Sequence, residues 1–415
     1  MSKDVVIIGG GVVGAMCAYH LANRGKSVAI VEARQFGAAC SHGNCGYVSP
    51  SHVLPLTQPG AVRQNFFTAF RKSSSLYIKP RLSPSLMKWM LNFARRCNQR
   101  DMMHAAEALH AMLQSSRTLY GGLIEAEQID CDWEAGGLLF VFRTRDGFDH
   151  YRGTATELTE KFGLEIDEIG QDRLLKLEPA LKPESTSGGF SFPGDAHLRP
   201  DRLMRGMRTV LEQLGVDLIE NAPMTALRRE NGKASGVQYQ GGEIEADRVV
   251  IATGAFTPML NEKLGLRVPI QPGKGYSLTM PRPSICPTRP MIFEQDHVAI
   301  TPWKSGYRIG STMEFSGYDA TLNPARLENL RRVAAKYLKE PAASPELEQW
   351  FGWRPMTWDS LPIIDRSPAD DNVWLAVGHN MLGISMATGT GRLIAELMDG
   401  DTPHVDPAPY SALRF

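Results

Sequence analysis

Gly9, Gly11 and Gly14 stand in the spacing GxGxxG, and Glu32 follows eighteen residues after the last of them. Glycines at this spacing permit a tight turn, let a pyrophosphate approach the backbone and allow a helix to pack closely on a strand. The amides of the following helical turn, from Val12 and Val13 onward, then face the phosphates with the positive end of the helix dipole. Glu32, with Ala33 and Arg34 beside it, is spaced to bind the adenosine ribose hydroxyls. A carboxylate there disfavours a 2′-phosphate and so argues against NADP.

Such residues do chemistry only if strands and a helix hold them. Val5 to Ile8 is an apolar run, Val12 to Asn23 has helical character, and Ser27 to Glu32 is a second apolar run, so the order is strand, helix, strand. An ordinary glycine-rich turn would lack this setting. No series of further parallel strands follows Glu32, as an NAD dehydrogenase would require. Instead a late strand from Arg248 ends at Thr253 and Gly254, and a second glycine-rich turn, Gly378 to Gly391, enters a helix. One dinucleotide gripped by widely separated segments points to FAD. The absence of a second GxGxxG and of any CxxC pair argues against a reductase that also carries NADH, and against a disulfide reductase.

Other elements are readable. Helices are expected at Pro84 to Cys97, residues 101 to 126, Pro200 to Leu214 and Asn323 to Leu338, with strands at Leu138 to Phe142, Arg308 to Ser311 and Val373 to Val377. In the first of these helices Leu86, Trp89, Met90 and Phe93 share a face beside Lys88, Arg95 and Arg96. That pattern suits either a core helix or one resting on an anionic membrane surface.

The chain has 415 residues, 43% of them hydrophobic, enough for two domains. Basic and acidic residues balance at 45 each, which gives no footprint for nucleic acid. Six scattered cysteines form neither a metal-ligand pattern nor a disulfide framework. Without an N-terminal leader pattern or a membrane-length apolar run, the expected location is cytoplasmic, with the inner membrane face as the site of any peripheral contact.

The segments GGGVVGAMCAYHLANRGKSVAIVE, CSHGNCGYVSP, PGKGYSLTMP, RIGSTMEF, FGWRPMTWDSLPII and GHNMLGISMATGTG together resemble the superfamily of glycine oxidase, sarcosine oxidase and D-amino-acid oxidase, and within it the bacterial D-amino-acid dehydrogenases most. The resemblance covers essentially the whole chain. It implies an α/β (α+β) architecture: a Rossmann-like FAD-binding domain of glutathione-reductase type, interleaved with a substrate domain on a mixed, antiparallel-rich sheet that roofs the flavin. The FAD-binding domain would comprise residues 1–60, 196–262 and 350–415, and the substrate domain residues 61–195 and 263–349.

The resemblance also orders the candidates. A substrate carboxylate in a dry pocket calls for an arginine fork, and Arg354 in WRPMT matches the glycine oxidase arginine that binds it. Sarcosine oxidases use an arginine where this chain has Ser49. Tyr276 and Lys274, in KGYSLT, are candidates for the same pocket or for packing in the roof sheet. His297 matches a histidine near the substrate, and His42 lies in the flavin-proximal loop. Ser41, Asn44 and Gly46 of that loop are expected to hold the pyrophosphate and flavin edge. Gly378, His379, Gly383, Ile384 and Ser385 would meet the flavin pyrimidine. No cysteine follows Cys286, so the covalent flavin link of sarcosine oxidases is not expected, and Arg308 stands where those enzymes place an oxygen-activating lysine.

The expected reaction is oxidative deamination of a D-amino acid by hydride transfer to flavin N5. The imine hydrolyses to a 2-oxo acid and ammonia, and the electrons leave through a quinone or another carrier. D-proline or hydroxy-D-proline dehydrogenation and a glycine or sarcosine-type oxidase are the alternatives, and a non-catalytic flavin subunit is the rival from another class.

Overall fold

The computed structural model describes residues 2–65, 69–71 and 74–415. Its first sheet is built on strands whose continuous Val and Ile runs are buried. Lys3–Ile8 pairs in parallel with Val28–Val31 on one side and with Gly242–Ile251 on the other, and Gly242–Ile251 in turn pairs in parallel with Val373–Val377. The helices Val12–Ala22 and Gly383–Asp399 lie on this sheet, as the glycine spacing predicts. They meet without side chains between them, because a Cβ on Gly391 would overlap the Met16 backbone.

The second sheet is mixed and mostly antiparallel. Gln271–Met280 is flanked by Glu348–Met356 and Gly306–Phe315, followed by Val298–Trp303, Met291–Phe293 and Leu138–Phe142. Because Glu348–Met356 pairs into this sheet, the expected domain boundary at residue 350 falls inside one of its strands. The chain returns to the first sheet with Ile363–Arg366.

The expected helices form at Pro84–Arg96, Gln99–Ala126, Pro200–Gln213 and Pro324–Tyr337. Gln99–Ala126 starts at an N-cap where the Asn98 side chain accepts the Asp101 amide, and it buttresses Gly383–Asp399. Tyr120 donates to the Ile384 carbonyl at 2.8 Å, and the Ser116 and Thr388 hydroxyls lie 2.8 Å apart. On Pro84–Arg96, Leu86 and Trp89 are buried, and Met90 and Phe93 pack with them against Met313, Phe315 and Met356. The face expected for membrane contact is therefore the core face. Met87 and Leu91 are exposed instead, beside Lys88, Arg95 and Arg96. No helix among the described residues is long and apolar enough to cross a membrane.

Candidate functional site

Parallel register brings three turns to one edge of the first sheet. Ile8 pairs with Ile251 and Ile251 with Leu375, so Gly9–Gly11, Thr253–Gly254 and Gly378–Leu382 gather at the carboxyl ends of their strands. Crevices at that edge are where doubly wound sheets bind ligands. Gly9, at φ 110°, has no room for a Cβ, which would stand 2.6 Å from the Ala252 oxygen. On Gly14 a Cβ would overlap the Gly9 carbonyl oxygen, so helix and turn pack backbone to backbone.

The loop after Val28–Val31 closes over this edge. Glu32 accepts the Gly10 amide at 2.6 Å and the Arg34 amide at 2.9 Å. Ser41 Oγ accepts the Val12 amide at 3.1 Å, and Asn44 accepts the Gly46 amide at 2.7 Å. Further along, the Ser49 amide donates to Ser385 Oγ at 3.3 Å, so the loop spans from the first helix to the last. The roof sheet is fastened to the same loop. Arg308, buried, donates to the His42 and Asn44 carbonyls at 2.8 Å each and to Thr279 Oγ1 at 2.9 Å, and Tyr47 donates to the Met291 and Ile300 carbonyls.

Arg354 sits on the roof strand Glu348–Met356. Its neighbour Pro355 accepts the Asn380 amide at 3.1 Å, and Asn380 Oδ1 accepts the Thr357 amide at 2.9 Å, which ties this strand to the turn before the helix Gly383–Asp399. The guanidinium donates to the Thr312 carbonyl at 2.6 Å and approaches Met313 Sδ at 3.8 Å. It has no acidic partner among the described residues. Burial pushes its pKa below the usual arginine value, an effect the Cys40 and Cys45 thiols oppose.

The other candidates divide. Period two along Gln271–Met280 puts Gly273, Gly275 and Ser277 on the face that meets Arg354 and Cys45, and sends Lys274 and Tyr276 to the opposite face. Tyr276, buried, donates to Glu314 at 3.0 Å and packs among the apolar residues of Pro324–Tyr337. The Lys274 ammonium donates to the Asp319 carbonyl at 2.7 Å and to the Thr321 carbonyl. Both residues therefore brace the back of the roof, and neither joins Arg354 in a pocket. His297 is exposed on the turn between Met291–Phe293 and Val298–Trp303, at φ 52°. His42 pairs through Nε2 with Glu348 at 2.7 Å, at the edge of the roof. His379 is enclosed, 3.0 Å from Thr390 Oγ1, and burial pushes it down to about 3. It is a neutral structural ring of the turn. Gly46 and Gly378, at φ 80° and 78°, shape their turns, and Gly254, at φ 53°, follows Thr253, whose hydroxyl lies 3.0 Å from that of Thr257.

Asn380, Thr357 and Thr312 were not singled out from the sequence. Only the local signal of an asparagine in a glycine-rich turn pointed to the first, which adopts φ 51°.

The arrangement fits FAD. Neither Val12–Ala22 nor Gly383–Asp399 is capped by the side chain of its own N-cap residue, and although Ser41 takes the Val12 amide, both helices leave further N-terminal amides for an anionic or polar ligand. Gly11 faces open space, with only Ser41 Oγ near a notional Cβ, at 3.6 Å. Glu32 bonds only backbone amides, leaving acceptor capacity for ribose hydroxyls.

Residues 4–397 match the family described as FAD dependent oxidoreductase. The chain is similar to a D-amino acid dehydrogenase of Xanthobacter autotrophicus, with 32% identity over 417 residues and 99% of each chain covered. A D-amino acid dehydrogenase of Methylobacterium nodulans is 33% identical over 422 residues, with the same coverage. Among solved structures it resembles glycine oxidase from Geobacillus kaustophilus, with a TM-score of 0.80 at 23% identity over 100% of this chain and 99% of the other. That last likeness concerns the fold.

Proposed function

The chain belongs to the FAD dependent oxidoreductase family, and from that premise we propose that it oxidises the carbon–nitrogen bond of a D-amino acid, yielding a 2-oxo acid and ammonia. The observation that carries this reading is the half-buried Arg354 guanidinium without an acidic partner among the described residues. A partly desolvated cation of this kind is matched by a carboxylate with two acceptor oxygens. The full-length likeness to D-amino acid dehydrogenases supports the choice of substrate.

Bound FAD supplies the hydride acceptor. Glu32 and the amides after Gly11 would hold its adenosine and pyrophosphate, and the amides of Gly383, Ile384 and Ser385 would face its ring end. The Arg354 fork fixes the substrate by its carboxylate, with the Thr312 bond holding the guanidinium in place. With the amine neutral, its lone pair favours loss of the α-hydrogen, so the protein orients and desolvates and no strong base is needed.

FAD is held without a covalent link in this reading, and acid precipitation of the protein should release it. The electrons leave to a quinone or another carrier. Arg308 supports this, because its guanidinium is held by the His42 and Asn44 carbonyls and Thr279 and is not free to approach oxygen at the cofactor. Any membrane contact is peripheral and uses the outer side of Pro84–Arg96, where Met87 and Leu91 are exposed. Cyclic D-proline substrates would be served by the same chemistry.

The test is a screen of D- and L-amino acids, hydroxyprolines, glycine and sarcosine with a redox dye. Anaerobic reduction would follow, then reoxidation by a soluble quinone or by air. Turnover of D-amino acids with faster quinone reoxidation is expected. Stoichiometric peroxide would make the protein an oxidase, and retained FAD without any turnover would make it a flavin-binding subunit.

A further inference from the structure

The chain from Tyr47 to Val53 leaves the loop above the first sheet and enters the interior, where its backbone needs partners. One side chain supplies the central pair. Asp195, with 0% exposure in the turn between Gly188–Phe192 and Ala196–His197, accepts the Ser51 amide at 3.0 Å and the Ser51 hydroxyl at 2.6 Å. Within the segment, the Ser49 carbonyl takes the His52 amide at 3.2 Å and the Ser51 carbonyl takes the Val53 amide at 2.9 Å, so the carboxylate closes a compact turn. At its upstream end the Ser49 amide donates to Ser385 Oγ at 3.3 Å, and that hydroxyl donates to the Tyr47 carbonyl at 2.8 Å. Ser385 belongs to the uncapped first turn of Gly383–Asp399. Hydrogen bonds thus link Asp195, through the Ser49–Ser51 turn, to the start of that helix.

We propose that Asp195 is a positioning residue that registers the Tyr47–Val53 turn against the start of the helix Gly383–Asp399. This rests on reading that helix start as the support of the cofactor's ring end, and it does not depend on which substrate is oxidised.

The bonds to Ser51 change with the protonation state of the carboxyl group. A carboxylate accepts on both oxygens and bonds more strongly to N–H and O–H donors than a neutral acceptor does. Once protonated, it carries a donor on one oxygen, and one of the two Ser51 bonds must weaken or rearrange. Burial pushes Asp195 up to about 7, opposed by the Ser51 bonds, by the Ser49 hydroxyl and by the charge of Arg117. The groups around it are few. Arg117, from Gln99–Ala126, donates to the Gly194 carbonyl at 3.2 Å. Tyr151 faces it from Arg145–Phe162, with Glu294 also near that ring. His52 Nδ1 lies 3.4 Å from Ser51 Oγ, and His197, two residues along, is turned towards Glu134 and Asp132. Among these only Arg117 brings a positive charge at neutral pH, since burial holds His52 and His197 below the usual histidine value.

The experiment is amide hydrogen exchange of the segment 47–53 between pH 5.5 and 8.5, on holoenzyme and on apoprotein, with intrinsic exchange rates divided out. In the parent protein, protection of Ser49 and Ser51 should fall as pH rises, by up to about tenfold per pH unit, because burial gives Asp195 a higher pKa in the closed turn than in the opened, solvated one. The fall should level off near 7. Asp195→Asn keeps an acceptor for the Ser51 amide but cannot ionise, so its profile should be flat, and kcat/KM should lose the matching inflection. Ser51→Ala removes one bond to the charged form and should move the levelling point upward. A parent-like profile in Asp195→Asn, or an unmoved levelling point in Ser51→Ala, would overturn the proposal. The exchange measurement needs no turnover, so its result is separable from that of the substrate screen.

Discussion

The guanidinium of Arg354 lies against Gly275, where a Cβ would stand 2.5 Å from its nitrogens. Gly275 pairs with Gly352 across the neighbouring strand, and Gly273 pairs with Arg354 itself, so the arginine crosses a strip of sheet that is bare of side chains. The bare strip lets a long cation lie flat along the roof and still present its fork.

Gly275→Ala should therefore displace Arg354 without touching the dinucleotide edge. The expected result is a rise in KM of roughly tenfold or more, the loss of about one charge-assisted hydrogen bond. Flavin absorbance per protein should stay normal. A KM equal to that of the parent would show that the carboxylate is bound elsewhere.

Arg354→Lys keeps the charge and loses the planar fork. Steady-state kinetics should show kcat/KM lower by about ten- to a hundredfold, with FAD retained. Unchanged kcat/KM would remove Arg354 from the substrate site.

Gly14→Val places a branched side chain where even a Cβ overlaps the Gly9 carbonyl oxygen. The helix must move off the strand and the phosphate-facing turn opens with it. The purified variant should be colourless at flavin wavelengths. Full FAD content would defeat the assignment of this edge.

His379 carries a pH prediction that is independent of catalysis. Its folded pKa, pushed down to about 3, lies below the unfolded histidine value, so the folded state binds fewer protons in between. Its contribution to stability is present above pH of about 6.5 and is lost as pH falls toward the folded value. His379→Gln retains a neutral partner for Thr390 and cannot be charged. Denaturant titrations from pH 7 to 4 should show a shallower loss of stability in this variant, by up to about 1.4 kcal/mol per pH unit. Parallel curves for the two proteins would show that His379 does not titrate in that range.

What could be read in advance follows the range of the interactions. The turn from Gly9 to Gly14, its flanking strands and Glu32 are local patterns, and each lies where the spacing places it. Arg354 was legible as an unusual arginine before proline, but its neighbours in KGYSLT show the limit. A strand pattern says that Lys274 and Gly275 point to opposite faces and not which face is the roof's inner one. Asp319, Thr321 and Glu314, which decide it, are 38 to 47 residues away from their partners. The helix Arg145–Phe162 went unread for a different reason. Gly147 and Gly153 dilute its helical signal, while its Thr144 cap, a single hydrogen bond to the Gly147 amide, is easily passed over. On Pro84–Arg96 the apolar face was recognised, but its cover of Met313, Phe315 and Met356 comes from far along the chain.

At Gly391 the two helices that open toward the cofactor edge touch main chain to main chain. The distance between their starting points is consequently a property of peptide geometry and does not vary with the side chains chosen for the surrounding core. The protein carries a built-in gauge of length. A dinucleotide shortened or extended by a single linking atom would meet one helix start and miss the other, however well its two ends were recognised separately.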